Sequence, residues 1–351
     1  MKAIVFHGKR DVRYERTSDP ELEGDSDAIV RVARTAICGS DLHLWHGGVR
    51  PDAAVGFAVG HECLGVVEET ARGVRDFRKG DRVLVSCTVG CGSCALCRRG
   101  VYSGCTVTAR SGGNVFGFSA ALPGGQAEAL RVPFADTNLL RIPESLSDEQ
   151  ALFLTDILPT GYMGAELAEV SPGDVVVVYG CGPVGIFAQL SARLRGAARV
   201  IAVDLDDERL ARAEGLGSET VNPAREDLGA RVLEATHGAG ADAVIEAVGR
   251  VELIAQAALL ARPGGRIAVI GVLTQASVTL PWLALFARSL TLRTGLVCPQ
   301  NHVAKLLAWV ESGRLDPTVI ITHRLPLSEG PRGYEIFSAH SEGALKVVLT
   351  P

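Results

Sequence analysis

Val175-Val176-Val177-Val178-Tyr179-Gly180-Cys181-Gly182-Pro183-Val184-Gly185 decides the architecture of the second half of this chain. Five apolar residues in a row read as a strand buried on both faces, and the glycines that follow fit a G-x-G-x-x-G turn. Such a turn lets the backbone approach a pyrophosphate closely and aims a helix N-terminus at its charge. Gly180, Gly182 and Gly185 supply the turn, while Pro183 and Val184 open the helix. By itself the motif is weak, and a plain glycine-rich strand-to-helix turn has the same look. Here Asp204 stands nineteen residues after Gly185, at the end of the apolar run Val200-Ile201-Ala202-Val203. An acid at that place accepts hydrogen bonds from ribose hydroxyls and repels a 2′-phosphate, which favours NAD over NADP. Arg209 tempers that preference, because a nearby base can tolerate a phosphate.

Working outward from this turn, strands are expected at 175–179, 199–203, 219–221, 242–246, 266–270 and 290–294. Helices fill most gaps, among them 183–195, stopped by Gly196, and 251–261, stopped by Pro263-Gly264-Gly265. This alternation builds an α/β doubly wound parallel sheet of six strands, covered on both faces. The first ~145 residues differ: short strands such as 28–33 and 81–85, with turn residues between them, suggest a β-rich domain. Ser147-Asp148-Glu149-Gln150 matches a capping box and opens an apolar helix, Ala151 to Ile157. Residues 294–351 return to mixed character and are assigned to the first domain. The division is therefore 1–156 with 294–351, and 157–293.

A length of 351 residues fits about two domains. A net charge of −5 gives no reason to expect nucleic acid or an anionic membrane as partner. No apolar run approaches the ~20 residues of a membrane helix, and the N-terminus reads as a strand rather than an export signal. Nine cysteines without such a signal point to reduced thiols and a cytoplasmic location.

Four of those cysteines, Cys91, Cys94, Cys97 and Cys105, form a C-x2-C-x2-C-x7-C pattern. Thiolates this close converge on Zn²⁺ without long-range packing, so a closed structural zinc site is expected. An iron–sulfur cluster is the rival, since bacterial ferredoxins begin with the same spacing. The longer last interval and the lack of a proline after Cys105 weigh against it. A second set is sparser: Cys38 in Cys38-Gly39-Ser40-Asp41-Leu42-His43, and His61 in Gly60-His61-Glu62. Asp156 lies in the apolar run Leu152 to Leu158, where burying a carboxylate is costly unless it is paired or coordinates a cation. The residues leave open whether these three share a metal.

In this order, the Cys38–His43 segment, Gly60-His61-Glu62, the four-cysteine loop and the Gly180–Gly185 turn resemble the zinc-dependent alcohol dehydrogenases of the medium-chain dehydrogenase/reductase superfamily. The similarity spans essentially the whole chain. Asp156-Ile157-Leu158-Pro159-Thr160-Gly161-Tyr162 looks most like the formaldehyde-dehydrogenase-related branch. The resemblance implies a GroES-like catalytic domain beside a Rossmann domain, with catalytic zinc on Cys38, His61 and Asp156. It implies a supporting or alternate-ligand role for Glu62, and proton-relay roles for Ser40 and His43. Lys346 falls near a basic residue that contacts the pyrophosphate. Two zinc ions and an NAD per chain follow, with a small alcohol or aldehyde as substrate and a dimer or tetramer as assembly. No insertion of the kind that retains NAD in formaldehyde dismutases is found, so exchangeable NAD is implied. Cys87 matches a pocket position that is aromatic in some relatives. The rival readings are a polyol or amino-alcohol dehydrogenase of the same superfamily and a non-catalytic NAD-binding or redox-sensing protein.

Overall fold

The computed structural model describes residues 1–48, 55–110, 113–275 and 277–351. The chain divides into two compact units, Met1–Pro159 with Val297–Pro351, and Thr160–Leu296.

The first unit is built on strand Ala28–Ile37. It pairs antiparallel with Glu62–Thr70 on one side and with Val347–Thr350 on the other, inside a seven-stranded sheet. The register sets Ala36 opposite Glu62 and Ile37 opposite Val347. One strand end therefore gathers Cys38, the His61-Glu62 pair and Lys346, although more than 300 residues of sequence separate the first from the last. Alternation along the strands buries one face, as in Val30, Val32, Val67, Val83 and Val85. A smaller three-stranded sheet carries the N-terminus, with Lys2–Gly8 between Asp11–Arg16 and Phe57–Ala58.

The second unit holds a parallel six-stranded sheet, in the order Glu219–Val221, Arg199–Val203, Val175–Tyr179, Ala241–Glu246, Ala261–Val269, Thr291–Thr294. Every residue of Val175–Tyr179 is buried, as a central strand covered on both faces requires. Helices Pro183–Leu194 and Val251–Leu260 lie where the apolar periodicity places them. One boundary differs from expectation. The helix already ends at Leu260, and Pro263-Gly264-Gly265, expected to stop it, lies inside the strand that begins at Ala261. That strand pairs with Ala241 there, and its register shifts before Arg266 meets Ala243.

The helix expected over Ala151–Ile157 is also broken. The Ser147 hydroxyl accepts the Gln150 N–H and caps Asp148–Leu152. A 3₁₀ turn, Phe153–Thr155, follows, and Asp156 leaves helical geometry at φ −155°, ψ −75° before helix Ile157–Leu167 starts. Pro159 accounts for part of the break. It has no N–H for the Thr155 carbonyl, which accepts the Cys87 N–H instead, at 3.0 Å.

Candidate metal centres and dinucleotide turn

The four-cysteine loop draws its sulfurs together. Cys91 and Cys97 lie 4.0 Å apart, and Cys94 and Cys105 lie 3.9 Å apart. A tetrahedron with ~2.3 Å metal–sulfur arms has edges of about 3.8 Å, so one zinc ion fits the cage. Main-chain N–H groups point at the sulfurs: Cys91 donates to Cys105, Cys94 to Cys91 and Cys97 to Cys94, at 3.3 to 3.5 Å. These bonds favour thiolates. Cys94 is lowered to about 5, first by the Cys97 N–H, whereas burial first pushes Cys97 up to about 12. The four cannot all ionise unaided, and a cation meets that need. Buried Asn138 anchors the loop by exchanging side-chain hydrogen bonds with both main-chain groups of Gly90.

Cys38, His61, Glu62 and Asp156 form a second group, with one ligand atom from each lying within 4.8 Å of the others. His61 Nε2 is 3.1 Å from Asp156 Oδ2, and Cys38 Sγ is 3.7 Å from the same oxygen. The break in the helix at Asp156 frees its carboxylate for this placement. All four residues are buried. Burial pushes the Cys38 thiol up, helped by the Glu62 charge. For His61, burial favours the neutral ring, but the charges of Asp41 and Cys38 win and raise it well above its ordinary value. Cys38, Asp41, Glu62 and Asp156 thus face one imidazole and one ammonium, and a divalent cation balances such a donor set.

The ammonium is Lys346. Its side chain is 0% exposed, and its Nζ donates to Glu62 Oε1 at 2.7 Å and to the Ile37 carbonyl at 2.9 Å. This corrects the expectation that Lys346 contacts the pyrophosphate: lying next to Val347, which pairs with Ile37, it is committed to a buried ion pair with Glu62. Glu62 Oε2 keeps no hydrogen-bond partner.

Sequence reasoning missed Asp41. Its carboxylate accepts the Cys38 N–H at 2.9 Å, takes the Gln126 amide at 3.2 Å, and lies 3.1 Å from His61 Nδ1. A carboxylate behind a histidine fixes the ring so that the opposite nitrogen faces the metal. The available signal was only an acid three residues after a candidate ligand, Cys38. Ser40 Oγ reaches Cys38 Sγ at 3.2 Å and His61 Nε2 at 3.3 Å. His43, on the same short helix Gly39–Trp45, is half-buried, and burial lowers its pKa and favours the neutral ring. Cys87 is buried beside Asp156, and burial first raises its thiol well above the ordinary value.

In the second unit, Gly180 has φ +97°, and a Cβ on Gly185 would fall 2.0 Å from the Gly180 carbonyl oxygen. A Cβ on Gly182 would meet nothing within 4 Å, which leaves the open approach a pyrophosphate needs at the N-cap of helix Pro183–Leu194. Asp204 Oδ2 accepts the Cys181 N–H at 2.7 Å, so this acid also holds the turn itself. Its other oxygen accepts from Leu205 and Asp206. Arg209 Nε lies 3.9 Å from Asp206.

Family models for an alcohol dehydrogenase GroES-like domain and a zinc-binding dehydrogenase match residues 24–144 and 183–312. An uncharacterised zinc-type alcohol dehydrogenase-like protein of Bacillus subtilis is 38% identical, with full coverage of both chains. The chain belongs to the zinc-type alcohol dehydrogenases of the medium-chain superfamily. The structure of an alcohol dehydrogenase from Thermus sp. ATN1 superposes on this dehydrogenase with a TM-score of 0.93 at 41% identity, covering 100% of this chain and 99% of that one. A glutathione-independent formaldehyde dehydrogenase of Bacillus subtilis is 38% identical over 71% of this chain and 66% of its own length. Among the described residues no helix is long and apolar enough to cross a membrane.

Proposed function

We propose that this zinc-type dehydrogenase interconverts a small alcohol and its aldehyde or ketone, with Cys38, His61 and Asp156 holding the catalytic zinc and NAD carrying the hydride. The observation that carries the reading is the convergence of those three side chains, from distant stretches, on one buried point. When bound, zinc supplies Lewis acidity toward the substrate oxygen, and NAD supplies the hydride chemistry. Asp41, 3.1 Å from His61 Nδ1, favours the tautomer that presents Nε2 to the metal. Ser40 takes the alcohol proton at its Oγ, and His43, neutral by burial, passes it outward. Glu62, fixed by Lys346, keeps one oxygen next to the metal ligands as a supporting or alternate donor. Gly180, Gly182 and Gly185 clear the pyrophosphate path, and Asp204 accepts the ribose hydroxyls in preference to a 2′-phosphate. Cys91, Cys94, Cys97 and Cys105 hold the second zinc.

Formaldehyde or a simple primary alcohol is the favoured substrate class. Asp156 and the partial match to a formaldehyde dehydrogenase support it over a diol. The assembly is a homo-oligomer. What supports this is the outer strand Thr291–Thr294, whose far edge is unpaired among the described residues. Beside it in sequence, helix Trp282–Ala287 leaves Trp282, Leu283 and Phe286 more than 70% exposed.

The test is metal analysis with a substrate panel followed at the nicotinamide absorbance. Two zincs per chain and NAD-dependent turnover are expected, with formaldehyde or primary alcohols ahead of diols. Cys38→Ser or Asp156→Ala should abolish turnover while NAD binding survives. Undiminished activity in metal-free Asp156→Ala protein sinks the mechanism.

A further inference from the structure

The second unit contains a buried carboxylate that the mechanism above does not use. Glu246 ends strand Ala241–Glu246 and is 0% exposed. It stands opposite Tyr179 on one neighbouring strand and Val269 on the other. The strand order reverses at this seam: the chain proceeds outward from 175–179 to 219–221, then returns to the opposite side at 241–246. Ligands of open parallel sheets collect outside the carboxyl ends of the strands at such a reversal.

Glu246 ties together the loops at that edge. Its Oε1 accepts the N–H groups of Val248 at 2.9 Å, Gly249 at 2.7 Å and Arg250 at 3.4 Å. Its main-chain carbonyl accepts from Ile270 at 2.8 Å and Gly271 at 3.0 Å. The loops are close-packed around it. A Cβ on Gly249 would fall 2.4 Å from the Val272 carbonyl oxygen, and one on Gly271 would fall 2.2 Å from Gly249 N. A Cβ on Gly180, the first glycine of the dinucleotide turn, would fall 3.0 Å from Val248 Cγ2.

Burial pushes the Glu246 carboxyl up, against the pull of the three N–H groups, and its Oε2 has no hydrogen-bond partner. A strand end needs no such group. An acid buried with one oxygen ringed by donors and the other unpaired is costly. Its return is a 247–250 turn fixed in place next to the glycine turn.

We propose that Glu246 is a positioning residue for the dinucleotide, holding the 247–250 turn in its binding conformation before the cofactor arrives. This rests on the NAD reading above. A turn ordered in advance spares binding the entropy of ordering it, so losing the clamp weakens affinity.

NADH titration of the zinc-loaded full chain, by cofactor fluorescence, tests the idea. Glu246→Ala should raise the Kd about tenfold or more. The KM for alcohol at saturating cofactor should stay within about twofold, with zinc still at two per chain. Glu246→Gln, which keeps an oxygen for the three N–H groups, should restore the Kd to within about threefold of the parent. An unchanged Kd in Glu246→Ala, or a glutamine variant as weak as the alanine one, overturns the proposal. Hydrogen exchange on the parent serves if the alanine variant does not fold. The amides of Val248, Gly249 and Arg250 should be protected without NADH, and fast exchange that slows only on NADH addition overturns the clamp. A parent that binds neither NADH nor NADPH would instead defeat the functional reading on which this rests.

Discussion

Two groups of metal-ligating side chains occupy the same unit and are assembled by opposite routes. The sulfur cage comes from fifteen consecutive residues, Cys91 to Cys105, and Cys91 and Cys94 remain partly exposed. The mixed group joins Cys38, His61, Glu62 and Asp156 across 118 residues and buries all of them. The cage needs only spacing and a few N–H donors. The mixed group needs a strand register, a broken helix and two further charged side chains, Asp41 and Lys346. A local closed site stabilises its own loop, whereas a site made from distant stretches depends on the fold for every donor and gains an asymmetric, reactive donor set.

The largest effect that would test this contrast is on the cage. Structural zinc in small domains contributes an apparent ~10–16 kcal/mol to folding. Cys97→Ser should lower zinc from two ions to one and loosen residues 88–105, measured by zinc stoichiometry and hydrogen exchange. The mixed site should keep its ion. Retention of both ions with normal protection of the loop would erase the distinction.

A smaller effect is expected from the ion pair under the mixed site. Lys346→Met leaves Glu62 buried and charged, at a cost of about 3–5 kcal/mol. Denaturant unfolding should register this loss, and adding Glu62→Gln should recover most of it. If the single variant is as stable as the parent, Glu62 is not charged in the folded protein. Next comes Asp41→Asn, which should weaken zinc at the mixed site by about 10–100-fold and leave the cage alone. Chelator competition reads both ions separately, and equal weakening of the two would place Asp41 in general stability rather than behind His61.

How much of this was legible in the sequence follows the same division. The parallel sheet is readable because the Val175–Tyr179 run, the glycines and the alternation repeat a local rule. The cage is readable because its ligands are neighbours. Cys38, His61 and Asp156 can be named as candidates, yet nothing local says that they meet, since the Ala36–Glu62 register joins the first two and the broken helix brings in the third. Asp41 escapes for a different reason: in sequence it is one more polar residue of a short helix, and only the turn of that helix aims it at His61. Lys346 is misread because a base near the C-terminus looks the same whether it faces a phosphate or a buried acid. The break at Asp156 is likewise hidden, because the capping box at Ser147 promises a helix and Pro159 interrupts it from downstream.

Acidification separates the two sites by the smallest effect, in a direction that can be worked out. In the metal-free cage Cys94 is lowered to about 5, below the ~8.5 of an unfolded thiol. The stabilisation it gives is complete above that unfolded value and is lost as pH falls through about 5. Protons therefore compete for Cys94 itself only near pH 5. In the cage Cys97, pushed up to about 12 by burial, is the thiol that must give up a proton to zinc. His61 behaves oppositely to Cys94. Raised well above 6.5 without metal, its ring favours the protonated form, and its contribution is complete below ~6.5 and lost as pH rises through the folded value. Zinc at the mixed site must displace that proton and one from the raised Cys38 thiol, so its affinity falls from neutral pH downward. Zinc release followed with a chromophoric chelator should show the mixed site, which must shed protons from both His61 and Cys38, emptying before the cage as pH falls. Simultaneous loss, or the reverse order, would mean that burial and hydrogen bonding do not set the difference between the sites.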